Sequence, residues 1–150
     1  KSHILRIIRE IINFEPKSNK TNVSLALERF NNMVKRKSIA FVLSDFIDEN
    51  YENELRHVAK KHDVIGIKVY DNLDMELPKI GLLQVQDVET GESKWIDTDD
   101  VQTQKVYNQR ATFYDKNYDT SFMKAGADKL KINTAQSYVH ILMNFFKKRS

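Results

Sequence analysis

The sequence predicts an α/β protein with a partial Rossmann-like parallel sheet of about three strands, flanked by helices, and an additional β-hairpin. Short apolar runs at 39–43 and 63–70 are separated by a helical pattern, and strands joined by so long a crossover are typically parallel. A third strand pattern at 129–132 lies between two further helical patterns. We expect a single domain over residues 1–150, since one domain usually takes ~100–200 residues.

Composition excludes several classes of protein. The chain is 41% hydrophobic, with four Gly and two Pro, which is typical of a chain with a folded core. Cys is absent, and no apolar run approaches the ~20 residues of a membrane helix, so we expect a cytoplasmic protein without a membrane partner. Lys and Arg number 24 against 21 Asp and Glu, and this excess is too small to predict a nucleic-acid partner.

Two helices are predicted before the first strand. Residues 4–14 carry an apolar stripe at helical spacing, and Pro16 ends that pattern. Thr21 or Asn22 can cap the second helix. The apolar stripe of the second helix comprises Val23, Ala26, Leu27, Phe30, Met33 and Val34.

The central part of the chain is predicted to form a strand, a helix and a second strand. The run at 39–43 is apolar without alternation, which predicts a strand covered on both faces. A helix beginning near Glu49 follows, and the second strand at 63–70 is also predicted to be buried.

The last part of the chain predicts a hairpin, a long helix, a strand and a final helix. Strands at 82–88 and 94–97 flank a turn at 89–92. The long helix starts at Thr98 or Asp99 and ends near Ala125, where Gly126 suits the position after the helix. Thr134 is the expected cap of the final helix.

Three carboxylates follow the predicted strands at the edge where open parallel sheets bind ligands. Asp45 and Asp48 come after the first strand and Asp71 after the second, and such oxygens suit Mg²⁺, Mn²⁺ or Ca²⁺. Asp48 has an alternative role as the N-cap of the helix near Glu49. The Thr21 hydroxyl either faces the same edge or caps its own helix, whereas Ser44 has no His at suitable spacing to make it a nucleophile.

Glycine-loop phosphate sites are excluded. Gly occurs only at positions 66, 81, 91 and 126, so neither G-x-x-x-x-G-K-[ST] nor G-x-G-x-x-G is present. Ordinary nucleotide and dinucleotide enzymes are excluded with them.

The chain resembles a known family along nearly all of its length. The likeness is carried by residues 21–27 and 39–48, the latter ending in Ser44-Asp45-Phe46-Ile47-Asp48, and it continues through 62–65, 76–83, 87–92 and 138–149. It resembles the carboxyl-terminal part of uncharacterised bacterial proteins with a von Willebrand factor type A-like fold. Such proteins are often encoded beside MoxR-type AAA+ ATPases.

The resemblance implies a remnant of a metal-ion-dependent adhesion site. Thr21 matches the threonine ligand of that site and Asp45 the aspartate that ends the fourth strand, with Ser44, Asp48 and Asp71 as accessory candidates. The Asp-x-Ser-x-Ser element of the site has no counterpart here. Because the chain begins at Lys1 without Met, we expect that element upstream in a longer protein. No cofactor is therefore expected in this stretch, with Mg²⁺ binding left to the full-length form.

The resemblance also implies an uncovered edge. In the type A strand order 3-2-1-4-5-6, the strand at 38–44 would pair with a first strand that this chain lacks. An unpaired apolar strand is a template for association, so we expect a homodimer through the 38–44 edge.

Two functions are compatible with these features. The first is a non-enzymatic protein-interaction module, for which the resemblance implies a MoxR-type AAA+ ATPase as partner. The alternative is a Mg²⁺-dependent hydrolase or phosphotransferase that uses Asp45, Asp48 and Asp71 at the strand ends.

Overall fold

The chain folds as an α/β protein in a computed structural model that describes residues 2–15, 21–86 and 91–149. The helices are α1 (Ser2–Ile12), α2 (Val23–Met33), α3 (Glu52–Lys61), α4 (Asn72–Met75), α5 (Val101–Ala125) and α6 (Tyr138–Arg149). The strands are β1 (Ile39–Ser44), β2 (Asp63–Tyr70), β3 (Leu82–Gln86), β4 (Ser93–Asp97) and β5 (Asp128–Asn133). Within these residues, no helix combines the length and apolar composition required to cross a membrane.

Three parallel strands form the sheet, and this confirms the predicted fold class. The order is β1-β2-β5, with Ile39 level with Asp63 and Ile65 level with Asp128. The central strand β2 is buried on both faces, as predicted. The same prediction is wrong for β1, which buries Ala40 but leaves Ile39 61% exposed. Burial of a strand on both faces needs neighbouring elements that an apolar run alone does not specify.

One face of the sheet packs against α2, α3 and α5 around a core of aromatic and aliphatic side chains. The buried members are Val23, Leu27, Ala40, Phe46, Tyr51, Leu55, Val58, Val64, Tyr118 and Phe122. The Tyr118 hydroxyl lies 3.0 Å from both the Gly66 and the Leu130 carbonyl oxygens. This hydroxyl therefore ties α5 to β2 and β5 from inside the core.

The opposite face packs against α6. Ile65, Ile67 and Leu130 are buried there against the partly buried side chains of Ile141, Leu142 and Phe145. At the end of α6, Arg149 bonds Asp63 at 2.6 Å and Asp128 at 3.1 Å. These ion pairs fix the helix to the start of β2 and β5.

The two amino-terminal helices bury little apolar surface. No residue of α1 is buried, and Ile11 is 70% exposed. In α2 only Val23 and Leu27 of the predicted stripe are buried, while Met33 is 82% exposed. The structure confirms both predicted helices. The surfaces that would fully cover their apolar stripes are not present among the described residues.

Some element boundaries differ from the prediction. The long helix α5 begins at Val101, because Asp100 caps it by accepting a hydrogen bond from the Thr103 N–H at 2.7 Å. The final helix begins at Tyr138, so Thr134 is not its cap. The predicted stop at Pro16 lies outside the described residues.

The antiparallel hairpin of β3 and β4 is anchored at its base by Thr98. The buried Thr98 hydroxyl donates to the Gly81 carbonyl at 2.7 Å and accepts from the Ile80 N–H at 2.9 Å. Thr98 thus closes the hairpin rather than starting α5. Residues 89 and 90 of the predicted turn, and the last two residues of the predicted strand at 82–88, lie outside the described part of the chain.

Candidate functional site

The loop after β1 is held in a tight turn by its own polar side chains. The Ser44 Oγ accepts from the Phe46 N–H at 3.0 Å, and Asp45 Oδ1 accepts from the Ile47 N–H at 3.1 Å. Phe46 has a φ of 54°, a left-handed conformation that costs about 1–2 kcal/mol for most residues. Its fully buried ring, 4.6 Å from that of Tyr118, offsets this cost. The turn leaves the Asp45 side chain exposed at the end of the sheet.

Asp48 accepts a hydrogen bond from the first residue of α2 and does not cap α3. Its Oδ2 accepts from the Val23 N–H at 2.7 Å, and its Oδ1 accepts from the Glu49 N–H at 2.7 Å. The prediction that Asp48 caps a helix near Glu49 is wrong, because α3 begins at Glu52 with Tyr51 as its cap residue. Asp48 therefore joins the start of α2 to the loop after β1.

Thr21 lies beside this junction, two residues before Val23. The N-cap of α2 is Asn22, whose side chain accepts from the Leu25 N–H at 2.7 Å, so capping does not require the Thr21 hydroxyl. The Thr21 side chain is exposed. No hydrogen bond joins Thr21 to Asp45 in the described part of the chain.

Asp71 caps the short helix α4, which is absent from the predicted elements. Asp71 Oδ1 accepts from the Leu73 N–H at 2.9 Å, and the Thr134 hydroxyl donates to its Oδ2 at 3.0 Å. The Asp71 N–H in turn donates to Asp74 Oδ2 at 2.7 Å, which completes a capping box. The hydrogen bond from the Leu73 N–H and, to a smaller extent, the one from the Thr134 hydroxyl lower the pKa of Asp71. Both oxygens of Asp71 are thus engaged in holding the chain after β2.

A cleft of about 240 Å³ opens at the carboxyl end of the sheet. It is lined by Asp45, Ile47, Lys68, Tyr70, Asp74, Met75, Tyr107, Arg110, Ala111 and Tyr114. Asp45 follows β1 and Tyr70 ends β2, so the cleft occupies the position where open parallel sheets bind ligands. The structure therefore places Asp45 in a concave site, while Thr21, Asp48 and Asp71 lie outside its lining.

The cleft carries charges of both signs. Arg110 lies over the Tyr114 ring, 5.7 Å from its centroid, and Asp45 and Asp74 provide carboxylates. The Tyr107 hydroxyl donates to the Leu73 carbonyl. Burial raises the pKa of Tyr107, and the charge of Asp74 raises it further. The charge of Arg110 acts in the opposite direction and is outweighed. Such a surface can bind a polar or charged side chain of another molecule.

Beneath the cleft, alternating charges connect the sheet to α5. Buried Lys68 pairs with Asp115 at 3.2 Å, and Lys131 pairs with Asp115 at 2.8 Å and Asp119 at 2.9 Å. Burial alone would raise the pKa of Asp115, but hydrogen bonds from Lys131 and Lys68 outweigh it and lower that pKa. The network contributes to the orientation of α5, the helix that also carries Arg110. Nothing in the local sequence indicated either the network or Arg110.

The metal ligands available here are few. Within residues 2–15, 21–86 and 91–149, no group of three or more His, Cys, Asp or Glu side chains is arranged to hold an ion. The Thr21 hydroxyl and the exposed Asp45 carboxylate are hard oxygen donors of the kind that Mg²⁺ and Ca²⁺ prefer, but such ions take six or more oxygens. These two residues fit a divalent site only as part of a larger ligand set.

The fold and the cleft define an α/β protein with a cleft at the carboxyl end of a parallel sheet. The chain belongs to the family described as protein of unknown function DUF58, whose model matches residues 1–117. This confirms the predicted membership in a bacterial family of uncharacterised proteins.

The relatives that match this chain are uncharacterized proteins of mycobacteria. The chain is 28% identical over 129 residues to an uncharacterized protein of Mycobacterium avium, a match that covers 85% of this chain and 76% of that protein. It is 34% identical over 71 residues to uncharacterized proteins of Mycobacterium bovis and Mycobacterium tuberculosis, covering 47% of this chain and 22% of each relative. No solved structure matches the chain.

Proposed function

We propose that this chain is a non-enzymatic protein-interaction module, part of a type A-like domain, that binds its partner at the carboxyl end of the sheet. The observation that carries the proposal is the exposed Asp45 carboxylate, held by a self-bonded turn at the rim of a cleft that also presents Arg110. Asp45 has no ion pair with any described residue, so its charge is available to another molecule.

In the complete protein, Thr21 and Asp45 would contribute to a Mg²⁺ site. The Asp48 bond to the Val23 N–H supports this, because it holds the start of α2 against the loop that carries Asp45. When bound, the ion would bridge an acidic side chain of the partner to the domain. The remaining oxygens would come from solvent and from residues outside this chain.

The contacts of the other strand-end carboxylates favour binding over catalysis. Asp48 and Asp71 each accept hydrogen bonds at both oxygens, and one bond of each comes from the start of a helix. For Asp71 these hydrogen bonds favour the ionised form and lower the pKa, which makes it a poor general base. The Mg²⁺-dependent hydrolase or phosphotransferase therefore receives less support than the interaction module.

The partner class is a MoxR-type AAA+ ATPase, which the family resemblance implies. The chemistry of the cleft supports an acidic contact segment, because Arg110 can pair with a carboxylate that the partner presents beside Asp45.

The test is binding of this chain to the MoxR-type ATPase of the same genome, measured by biolayer interferometry. Saturable binding is expected, and Arg110→Ala is expected to weaken it about tenfold, which is ~1.4 kcal/mol. Glu28→Gln on α2 is the matched control, since Glu28 is exposed and does not line the cleft. Equal loss in both variants, or no saturable binding by the unmodified chain, would contradict the proposal.

A further inference from the structure

The cleft that contains Arg110 continues into a second cavity along α5. The second cavity has a volume of about 900 Å³ and shares Met75 and Ala111 with the first. Its lining comes from α4, the loop 76–79 and α5, all of which follow the central strand β2 in the chain. The two cavities therefore form one continuous groove between residues 72–79 and α5, which we term the α4–α5 groove.

One face of α5 forms a wall of this groove. The lining residues of that face are spaced three or four apart, which places them on the same side of the helix: Gln104, Tyr107, Asn108, Ala111 and Tyr114. Ala111 has the smallest side chain among them and lines both cavities, so a larger side chain there would narrow the connection. At 1.5 Å per residue, the wall from Gln104 to Tyr114 is about 15 Å long.

Hydrogen bonds from α5 hold the opposite wall in place. The Gln104 side-chain amide donates to the Leu77 carbonyl at 2.9 Å and to the Thr98 carbonyl at 2.7 Å. The Tyr107 hydroxyl donates to the Leu73 carbonyl in α4. Because the two walls are already joined, a ligand that binds between them does not have to order a loop, which would cost free energy. The groove is thus preformed.

The chemistry of the lining changes along the groove. The first cavity presents the Arg110 guanidinium, whereas Leu73 and Met75 give the second cavity an apolar wall. Asn108 and Thr112, one helical turn apart, line the second cavity and are exposed. Neither of these two side chains is hydrogen-bonded within the part of the chain that the structure describes. Both can therefore bond the main-chain N–H and C=O groups of a ligand.

We propose that the α4–α5 groove binds an extended segment of a partner protein, with an acidic side chain paired with Arg110 and an apolar side chain packed against Leu73 and Met75. An extended chain advances about 3.3–3.6 Å per residue, so roughly four or five residues span the groove. The acidic and apolar residues therefore lie within about four positions of each other in the segment. This inference deepens the proposed function and rests on it, since Arg110 receives the acidic side chain in both.

Filling the groove tests this mode of binding. In biolayer interferometry against the MoxR-type ATPase, Ala111→Phe is expected to weaken binding about tenfold. Asn108→Phe fills the second cavity from an exposed position, where the fold is not at risk, and is expected to act in the same direction. Gln109→Phe is the matched control, because it adds the same ring to an exposed position of α5 that lines neither cavity. Helical circular dichroism should be retained in all three variants.

The groove and the proposed function can fail separately. Full affinity in both Ala111→Phe and Asn108→Phe, together with weaker binding by Arg110→Ala, would overturn the groove and leave binding at the cleft intact. Equal losses in Gln109→Phe and Ala111→Phe would also overturn the groove.

A peptide library tests the groove without the ATPase. Random peptides displayed on phage and selected on this chain are expected to carry Asp or Glu within about four positions of an apolar residue. The selected peptides should bind Gln109→Phe but lose binding to Ala111→Phe. Failure to select any peptide, or selected peptides that bind Ala111→Phe equally well, would overturn the groove. Selection of the expected peptides by a chain that does not bind the ATPase would support the groove and refute that partner.

Discussion

Gly66 in the middle of β2 allows the Phe122 ring of α5 to lie directly against the strand. A Cβ atom at position 66 would lie 2.3 Å from Phe122 Cε1 and 2.4 Å from Cζ. Carbon atoms in optimal contact are about 3.5–4.0 Å apart, so Gly66→Ala forces the ring back by more than ~1 Å.

The ring has little room to retreat. Phe122 is fully buried, and its ring centroid lies 5.4 Å from that of Phe46 and 4.8 Å from that of Tyr118. Overpacking of a filled core costs about 1–3 kcal/mol. We therefore expect Gly66→Ala to lower the free energy of unfolding by about 2 kcal/mol, or Tm by ~4–8 °C for a chain of this size.

Urea unfolding followed by far-UV circular dichroism measures this cost, and a double-mutant cycle identifies its cause. Phe122→Leu removes the part of the ring that the new methyl group meets. The double variant is expected to be more stable than the sum of the single effects by about 1 kcal/mol. Gly81→Ala is the control, because nothing lies within 4 Å of the added Cβ and its strain arises from a φ of +80°.

Additivity decides the outcome. If Gly66→Ala and Phe122→Leu add within ~0.3–0.5 kcal/mol, as unconnected sites do, the close approach of α5 to β2 is refuted. The Gly81→Ala variant combined with Phe122→Leu should show that additive behaviour.

Three further outcomes are expected. Tyr118→Phe removes the hydroxyl that bonds two strand carbonyls and should cost about 1–2 kcal/mol in urea unfolding; an unchanged midpoint would contradict those bonds. Burial, with the charge of Lys61, lowers the pKa of His62, so the unfolded chain takes up its proton first as the pH falls below 6.5. Stability should therefore decline below that pH until the folded state is protonated too, and His62→Phe should remove this part of the decline. Calorimetric titration with Mg²⁺ should show no tight binding, and Asp45→Ala should give the same heats; tight binding lost in that variant would contradict the small ligand set.

The strands β1 and β2 were predictable because each follows from a short apolar run. The elements that cover each strand could not be predicted from those runs. Residues 39–43 and 63–70 were both predicted as buried strands, yet β2 is covered by α3, α5 and α6 and β1 leaves Leu43 64% exposed. The helix α4 has four residues, too few for any periodicity, and its signal was the capping pair Asp71 and Asp74.

Within the site, sequence order located the carboxylates but not their partners. Asp45 and Asp71 follow strands, and in a parallel sheet this puts both at the same end. The Val23 N–H and the Asp48 carboxylate that it bonds are 25 residues apart in the chain. The local sequence therefore predicted Asp48 as the cap of the next helix instead. Arg110 joins the cleft through the orientation of α5, to which the Lys68, Asp115 and Lys131 ion pairs contribute, and such long-range contacts leave no local pattern.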